Sequence, residues 1–310
     1  MVVRCQSLPY TLSHMKVSII GVGEIGTALA HILHGQKEVE VTCWDKNASK
    51  LPNQITLEAS LADADLVFLC VPSWNLRGAI MSIEPHLKPT AGVVSLAKGV
   101  ERESHKTVDQ ILAEQIPNHT FGILGGPMIA EEMLAHKVTS GVLASSSKNL
   151  RLLVKRVFKH SALRIHSSTD VSGTAVCGVL KNTYTLSIGL AEGLGLGENA
   201  KGVLFSQALK EMQVVVKLLG GKKTTVFGLA GAGDFFATSQ SPHSRNRVVG
   251  ITLATGADGH LESEGYVSLS CLKTLVLSTS AKLPLLETLI KIGSDGANPA
   301  LLSQVIFDKG

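Results

Sequence analysis

Residues 17–34 read VSIIGVGEIGTALAHILH: a short apolar run, three spaced glycines and then a helical pattern. Gly21, Gly23 and Gly26 form a G-x-G-x-x-G, and each glycine has a physical task. The first permits a tight turn, the second lets an anion approach backbone N–H groups, and the third allows helix and strand to pack closely. The N-terminus of the following helix then stabilises the anion. A flexible turn has the same glycines, but a strand before and a helix after point to the pyrophosphate of a dinucleotide. Asp45, 24 residues beyond Gly21, ends the next apolar run, where a carboxylate can accept bonds from a ribose 2′-OH. That favours NAD. Lys46 follows it, and a cation there either holds the 2′-phosphate of NADP or pairs with Asp45 in solvent, so both cofactors stand with NAD ahead.

Outward from this loop, β-rich runs alternate with helical patterns as far as residue 168. The runs are 17–20, 39–44, 66–71, 92–96, 120–124, 140–145 and 163–168, with helical spacing at 27–34, 75–87, 104–115 and 149–158. Near-continuous apolar strands separated by helices predict a parallel sheet covered on both faces, and right-handed crossovers make it doubly wound. Beyond residue 172 the strand signal ends. Residues 176–190, 200–219, 247–254, 266–277 and 284–292 have apolar spacing near the helical period. The expected fold is α/β, a doubly wound Rossmann domain at 15–171 followed by an all-helical substrate-binding domain at 172–310. Residues 1–14 are expected to be a disordered extension without a secretory signal, with Met15 as the functional start.

Composition narrows the function classes. Of 310 residues, 45% are hydrophobic and 17% charged, which excludes intrinsic disorder. No apolar stretch reaches the ~18 residues of a membrane span, so no membrane insertion is expected. The net charge of +4 lacks any basic block longer than Lys222-Lys223, and aromatics are only 4%, so nucleic acid is not an expected partner. Five scattered cysteines, an odd number mostly inside apolar runs, read as thiols in a reducing compartment, and the expected location is the cytoplasm.

Polar and charged residues within apolar surroundings mark the candidate chemistry. Lys98 falls just past the C-terminal end of a predicted strand, the edge where such sheets bind ligands, although a plain loop lysine has the same position. Lys181 stands in AVCGVLKNTYTLSIGLA (175–191), where an unpaired ammonium is costly, so it is either ion-paired for structure or tuned for proton transfer. Asp234, in a glycine-dense turn, is its candidate partner. Ser244, Arg245 and Asn246 offer a hydroxyl, a fork of N–H donors and an amide suited to a phosphate, while Ser244 also suits a helix N-cap.

Taken together, GxGxxGTAL, VPSxxxR, KGVE, GGP, LKN, GLGxGxNAKG, GLAGxGD and SRNR, in this order over residues 15–265, resemble bacterial-type NAD(P)-dependent glycerol-3-phosphate dehydrogenase. The resemblance implies a Rossmann domain, a helical second domain and a homodimer. It also implies interconversion of dihydroxyacetone phosphate and sn-glycerol 3-phosphate for phospholipid synthesis. Residue by residue, it makes Lys181 the catalytic lysine and Lys98 a lysine that touches substrate and cofactor. It places Gly126, Asp234, Ser244, Arg245 and Asn246 at the substrate, and Ala130, Arg245 and Glu264 at the cofactor.

The sequence also departs from the family pattern. The Ser-Trp of the glycine loop is Glu24-Ile25, and a glutamate repels a pyrophosphate unless it points away. The small polar residue after the GP turn, a substrate contact, is Met128, and an arginine of the family is Gln207. The supporting acid and glycines before LKN have become Ala175, Cys177, Gly178 and Val179, and the C-terminal helices are shortened. The expected mechanism has Lys181 as general acid/base oriented by Asp234, Lys98 stabilising charge on the reacting oxygen, and the 244–246 triplet gripping the phosphate. Met128 and Gln207 motivate the alternative of a related dehydrogenase for another small phosphorylated or carboxylated alcohol, and Glu24 that of a weak dinucleotide-binding paralogue.

Overall fold

The structure, a computed structural model, describes residues 14–257 and 261–307. The expectation for residues 1–14 falls, His14 excepted, outside the described residues. The chain opens with β1 (Met15–Ile20), α1 (Glu24–His34), β2 (Val39–Trp44), α2 (Leu57–Leu61), β3 (Leu66–Leu69) and α3 (Leu76–Ile83). It continues through β4 (Gly92–Ser95), α4 (Val108–Gln115), β5 (Thr120–Gly125), α5 (Ala130–Leu134), β6 (Thr139–Ala144), α6 (Lys148–Val157) and β7 (Leu163–Ser168). One seven-stranded sheet results, in the order β2-β1-β3-β4-β5-β6-β7.

The apolar runs are continuous because both faces of the sheet are covered. Along β3, Leu66 and Phe68 enter one core while Val67 and Leu69 enter the other; Val94 and Val93 of β4 divide in the same way. Winding reverses between β1 and β3, and the crevice at their carboxyl ends is where such sheets bind ligands.

Two expectations need correction. The sheet is not wholly parallel: β5 and β6 pair antiparallel, with Ile123 opposite Ala144. The chain between them, residues 126–138, holds only the five-residue α5, and at about 1.5 Å per residue that helix is too short to carry the chain back along a six-residue strand for a parallel crossover, so the chain returns directly as β6. The helix expected at 104–115 begins only at Val108, because Thr107 and Gln110 form a capping box that fixes its start.

All remaining elements are helical: α7 (Val171–Gly193), α8 (Gly197–Leu218), a π-helical turn (Leu229–Gly233), α9 (Asp234–Gln240), α10 (Arg245–Thr255), α11 (Glu264–Leu277), α12 (Pro284–Asp295) and α13 (Leu302–Phe307). Helix α7 is buried without interruption from Gly173 to Ala191 and packs against α8, α10 and α11. Three of its buried hydroxyls are satisfied within the helix: Thr183 and Thr185 donate to carbonyls one turn back and Ser187 to that of Tyr184. Glu211 of α8, also buried, accepts the Tyr184 hydroxyl at 2.9 Å and the N–H groups of Leu285 and Leu286, tying α7, α8 and the start of α12 together. Burial pushes the Glu211 carboxyl up. Gln207 donates to this same carboxylate at 2.9 Å.

Candidate active site

A cleft with a cavity of about 420 Å³ lies at the carboxyl ends of β1, β3 and β4, closed on its far side by α7, α9, α10 and the start of α11. On the sheet side its wall begins with the glycine loop. Gly21 has φ +96°, and a Cβ added there would stand 2.7 Å from the Cys70 carbonyl oxygen. One added at Gly26 would meet the Gly21 oxygen at 2.0 Å, so neither position tolerates a side chain. At Gly23, by contrast, an added Cβ would meet nothing within 4 Å, and no side chain caps α1. A helix N-terminus with free N–H groups therefore faces open space, which fits a dinucleotide pyrophosphate.

Asp45 follows β2 directly. Its carboxylate accepts the Val22 N–H at 2.8 Å and the Asn47 N–H at 2.9 Å, binding the glycine loop to the second strand. Burial pushes this carboxyl up, but those N–H groups and Lys50 outweigh it and the net shift is down. The cation beside Asp45 is Lys50, at 3.2 Å, and not its sequence neighbour Lys46, which is exposed. Neither Asp45 nor Lys46 lines the cavity.

A charge cluster joins the two walls, with Lys181 and Asp234 buried on the helical side and Lys98 half-buried on the loop after β4. Lys181 projects from α7 and Asp234 is the first residue of α9, at the end of the π-helical turn and not within an open glycine turn. Lys181 Nζ lies 3.1 Å from Asp234 Oδ1, and Lys98 Nζ lies 2.7 Å from Asp234 Oδ2. One carboxylate therefore serves two ammonium groups, neither of which is left unpaired. Lys98 also donates to the Gly126 carbonyl at 3.1 Å. Thr238, one turn along α9 from Asp234, accepts from Lys181 at 2.8 Å and donates to Asp234 at 3.2 Å.

Burial pulls the Lys181 ammonium down to about 8; Asp234 opposes that shift and Lys98 reinforces it. For Asp234, burial pushes the carboxyl up, but the two ammonium groups win and the net direction is down. This environment keeps Asp234 ionised while making the Lys181 proton labile.

The triplet at the start of α10 divides its work. Ser244 caps the helix by accepting the Arg247 N–H at 3.3 Å. Asn246 accepts the Gly265 N–H and donates to Asn182 Oδ1, both at 2.9 Å, and Asn182 in turn donates to the Lys98 carbonyl at 2.9 Å. This amide chain runs from α11 through α10 and α7 to the Lys98 loop. Arg245 reaches the other way, across the cleft, and pairs with Glu24 of the glycine loop.

Glu264 accepts from the Ser73 N–H at 2.8 Å and hydroxyl at 2.6 Å, joining α11 to the loop after β3. Burial pushes its carboxyl up, and the two Ser73 donors offset part of that shift. Met128 and Ala130 line the sheet side of the cavity, both buried.

Of the residues singled out in the sequence, Gly23, Glu24, Ile25, Lys98, Met128, Ala130, Lys181, Asp234, Ser244, Arg245, Asn246 and Glu264 line one cavity; Gly21, Gly26 and Gly126 stand behind it. Gln207 does not line it, being committed to Glu211. The sequence assigns no role to Thr238, nor to Asn182 and Ser73, which stand within LKN and VPSxxxR. Only the i, i+4 spacing from Asp234 on a short helix hinted at Thr238, and the hydrogen bonds made through Asn182 and Asn246 together join four segments far apart in sequence.

Comparison with known proteins gives the same frame. The family described as NAD-dependent glycerol-3-phosphate dehydrogenase matches with its N-terminal part over residues 48–151 and its C-terminal part over residues 170–304. A glycerol-3-phosphate dehydrogenase (NAD(P)+) of Acidithiobacillus ferrooxidans is 31% identical over 322 residues, spanning 94% of this chain and 93% of its own. One of Fusobacterium nucleatum is 33% identical over 266 residues, spanning 78% of this chain and 79% of its own. The crystal structure of glycerol-3-phosphate dehydrogenase from Coxiella burnetii superposes with a TM-score of 0.88 at 24% identity, covering 96% of this chain and all of that one, a likeness of fold. This chain belongs to the NAD-dependent glycerol-3-phosphate dehydrogenase family.

Proposed function

We propose that the protein interconverts dihydroxyacetone phosphate and sn-glycerol 3-phosphate with an NAD(P) cofactor. The observation that carries this reading is the Lys181–Asp234–Lys98 cluster, with Lys181 and Asp234 buried, which faces an uncapped glycine-loop helix across one cavity. The relatives named glycerol-3-phosphate dehydrogenase (NAD(P)+) support it.

The N–H groups at the start of α1 would hold the pyrophosphate and Asp45 the ribose, with Ala130 lining the same wall. When bound, the nicotinamide ring supplies or takes up the hydride. Lys181 holds the proton: its ammonium gives one to the substrate oxygen in reduction, and its neutral amine takes one back in oxidation. A proton held near pH 8 suits both directions at moderate cost. Asp234 and Thr238 aim the Lys181 nitrogen. Lys98, less buried and on the same carboxylate, adds positive potential where charge develops on that oxygen. Arg245 grips the substrate phosphate after releasing Glu24, and this remote grip positions the reacting carbon. Ser244 and Asn246 hold α10 and the Lys98 loop in place while they line the cavity. We further propose that the sheet region through residue 171 carries the cofactor and the helical region the substrate, that NAD is favoured over NADP, and that the protein works as a homodimer in the cytoplasm.

The test is to mix the protein with dihydroxyacetone phosphate and NADH or NADPH and to follow nicotinamide fluorescence. Prompt decay is expected. Decay only with other phosphorylated or carboxylated carbonyls would move the substrate, as the buried Met128 in the cavity wall favours. Binding without turnover would overturn the assignment.

A further inference from the structure

On the outer side of the sheet region, away from the charge cluster, two histidines 105 residues apart in the chain meet. His31 lies in the last turn of α1, and His136 lies just past α5. Their Nε2 atoms are 3.1 Å apart, with ring centroids 4.8 Å apart and the rings tilted by 48°. His136 is held in the left-handed region, φ +54°, with its N–H on the Met133 carbonyl. We propose that His31 and His136 are the two protein ligands of a site for one first-row transition ion such as Zn²⁺, Ni²⁺ or Cu²⁺.

The geometry has the bite that such an ion requires. With metal–nitrogen bonds of about 2.0–2.1 Å, nitrogens 3.1 Å apart subtend about 100° at the ion, between a square and a tetrahedral angle. Imidazole is the donor that suits these ions. Both rings are exposed, so water can complete the shell. Among the described residues no group of three or more His, Cys, Asp or Glu forms a metal cluster, so this is a two-ligand site.

Without an ion, one ring donates its Nε2–H to the other. On binding, that ring shifts its proton to Nδ1, both Nε2 lone pairs turn to the metal, and no net proton, electron or co-reactant is needed. Helices α1 and α5 pack on each other, and both begin at the cavity, with Glu24 and Ala130. The ion would therefore staple together two walls of the cofactor side.

Titration calorimetry of the full chain with ZnCl₂, free of cofactor and phosphate, tests the site. One ion per chain is expected, with affinity lowered at least about tenfold in His31→Gln and in His136→Asn. Asparagine tolerates the left-handed backbone, so His136→Asn keeps the fold, and metal-free turnover should match the wild type in both variants. Zn²⁺ should also raise the Tm of the wild type and not that of the double variant. No binding to the wild type, undiminished binding in both single variants, or an equal Tm rise in the double variant would each overturn the proposal.

Discussion

Glu24 and Arg245, 221 residues apart in the chain, are ion-paired across the cleft. The side chains are 63% and 72% exposed, and an exposed pair of this kind is worth at most about 1 kcal/mol. The pair is therefore a competitor that ligands can displace and not a permanent closure. It also explains how a glutamate fits beside a pyrophosphate loop: its charge is turned toward a cation on the opposite wall.

Glu24→Ser should free Arg245 and remove a negative charge from the loop, lowering KM for dihydroxyacetone phosphate and Kd for NADH by a few-fold while leaving kcat nearly unchanged. Arg245→Lys keeps the charge but loses the bidentate fork, and Arg245→Ala loses both, so KM for dihydroxyacetone phosphate should worsen in that order. Unphosphorylated dihydroxyacetone should be a poor substrate that loses little further. Equal losses with both substrates would place the phosphate elsewhere.

Lys181→Met should lower kcat by at least about 10², the usual share of general acid–base catalysis, with dinucleotide affinity retained. The pH profile should carry the same group. Oxidation needs the neutral amine, so its rate should rise as pH climbs through about 8; reduction needs the ammonium and should fall over the same range. The stability sign follows from a folded-state value held below the ordinary 10.5. The unfolded chain binds the proton more tightly, so the penalty of burying Lys181 is fully present below about 8 and is relieved as pH rises toward 10.5. Stability that falls across that window in the wild type but not in Lys181→Met would contradict this reading.

Asp234→Asn removes the group that holds the Lys181 proton against burial, while Lys98 still repels it. The midpoint of the oxidation profile should therefore move to lower pH even though kcat falls. A purely structural role for Asp234 would lower the rate without moving the midpoint. Thr238→Val, which removes the relay hydroxyl but leaves the carboxylate, should cost less and shift the midpoint little.

The glycine loop, all seven strands and the main helices were legible because each leaves a local mark: spaced glycines for the loop, near-continuous apolar runs for strands buried on both faces, and a 3.6-residue period for helices. The antiparallel return of β6 was not, since Val142 and Leu143 look the same in either direction and only the shortness of α5 in the 126–138 connection decides. At the site, Lys181 stood out as a charge in an apolar helix, and Asp234 as an acid among glycines. The amide chain from Gly265 to Lys98 was hidden because Asn246 and Asn182 make contacts set by three helices crossing. Gln207 misled for the same reason: in sequence it is a lost arginine of the site, while in the fold it is bonded to the Glu211 that joins α7, α8 and α12.

In the proposed reading cofactor choice turns on Asp45 together with its ion-pair partner Lys50. The Asp45 carboxylate favours a free 2′-OH and repels a 2′-phosphate, so NADH should serve at least as well as NADPH. Lys50, 3.2 Å from that carboxylate, is at present neutralised by it. Asp45→Ser should therefore act twice, removing the repulsion and releasing a cation, and the ratio of kcat/KM for NADPH over NADH should rise by about tenfold or more, the factor for each ~1.4 kcal/mol. Adding Lys50→Ala to Asp45→Ser should take back part of that gain, whereas Lys46→Ala should not, since Lys46 has no ion pair with Asp45. Asp45 also holds the Val22 N–H, so some loss with both cofactors is expected, and the ratio, not the absolute rate, is the quantity to read. If Lys46→Ala reverses the shift and Lys50→Ala does not, the 2′-phosphate is read by the residue next to Asp45 in sequence and not by the one next to it in space.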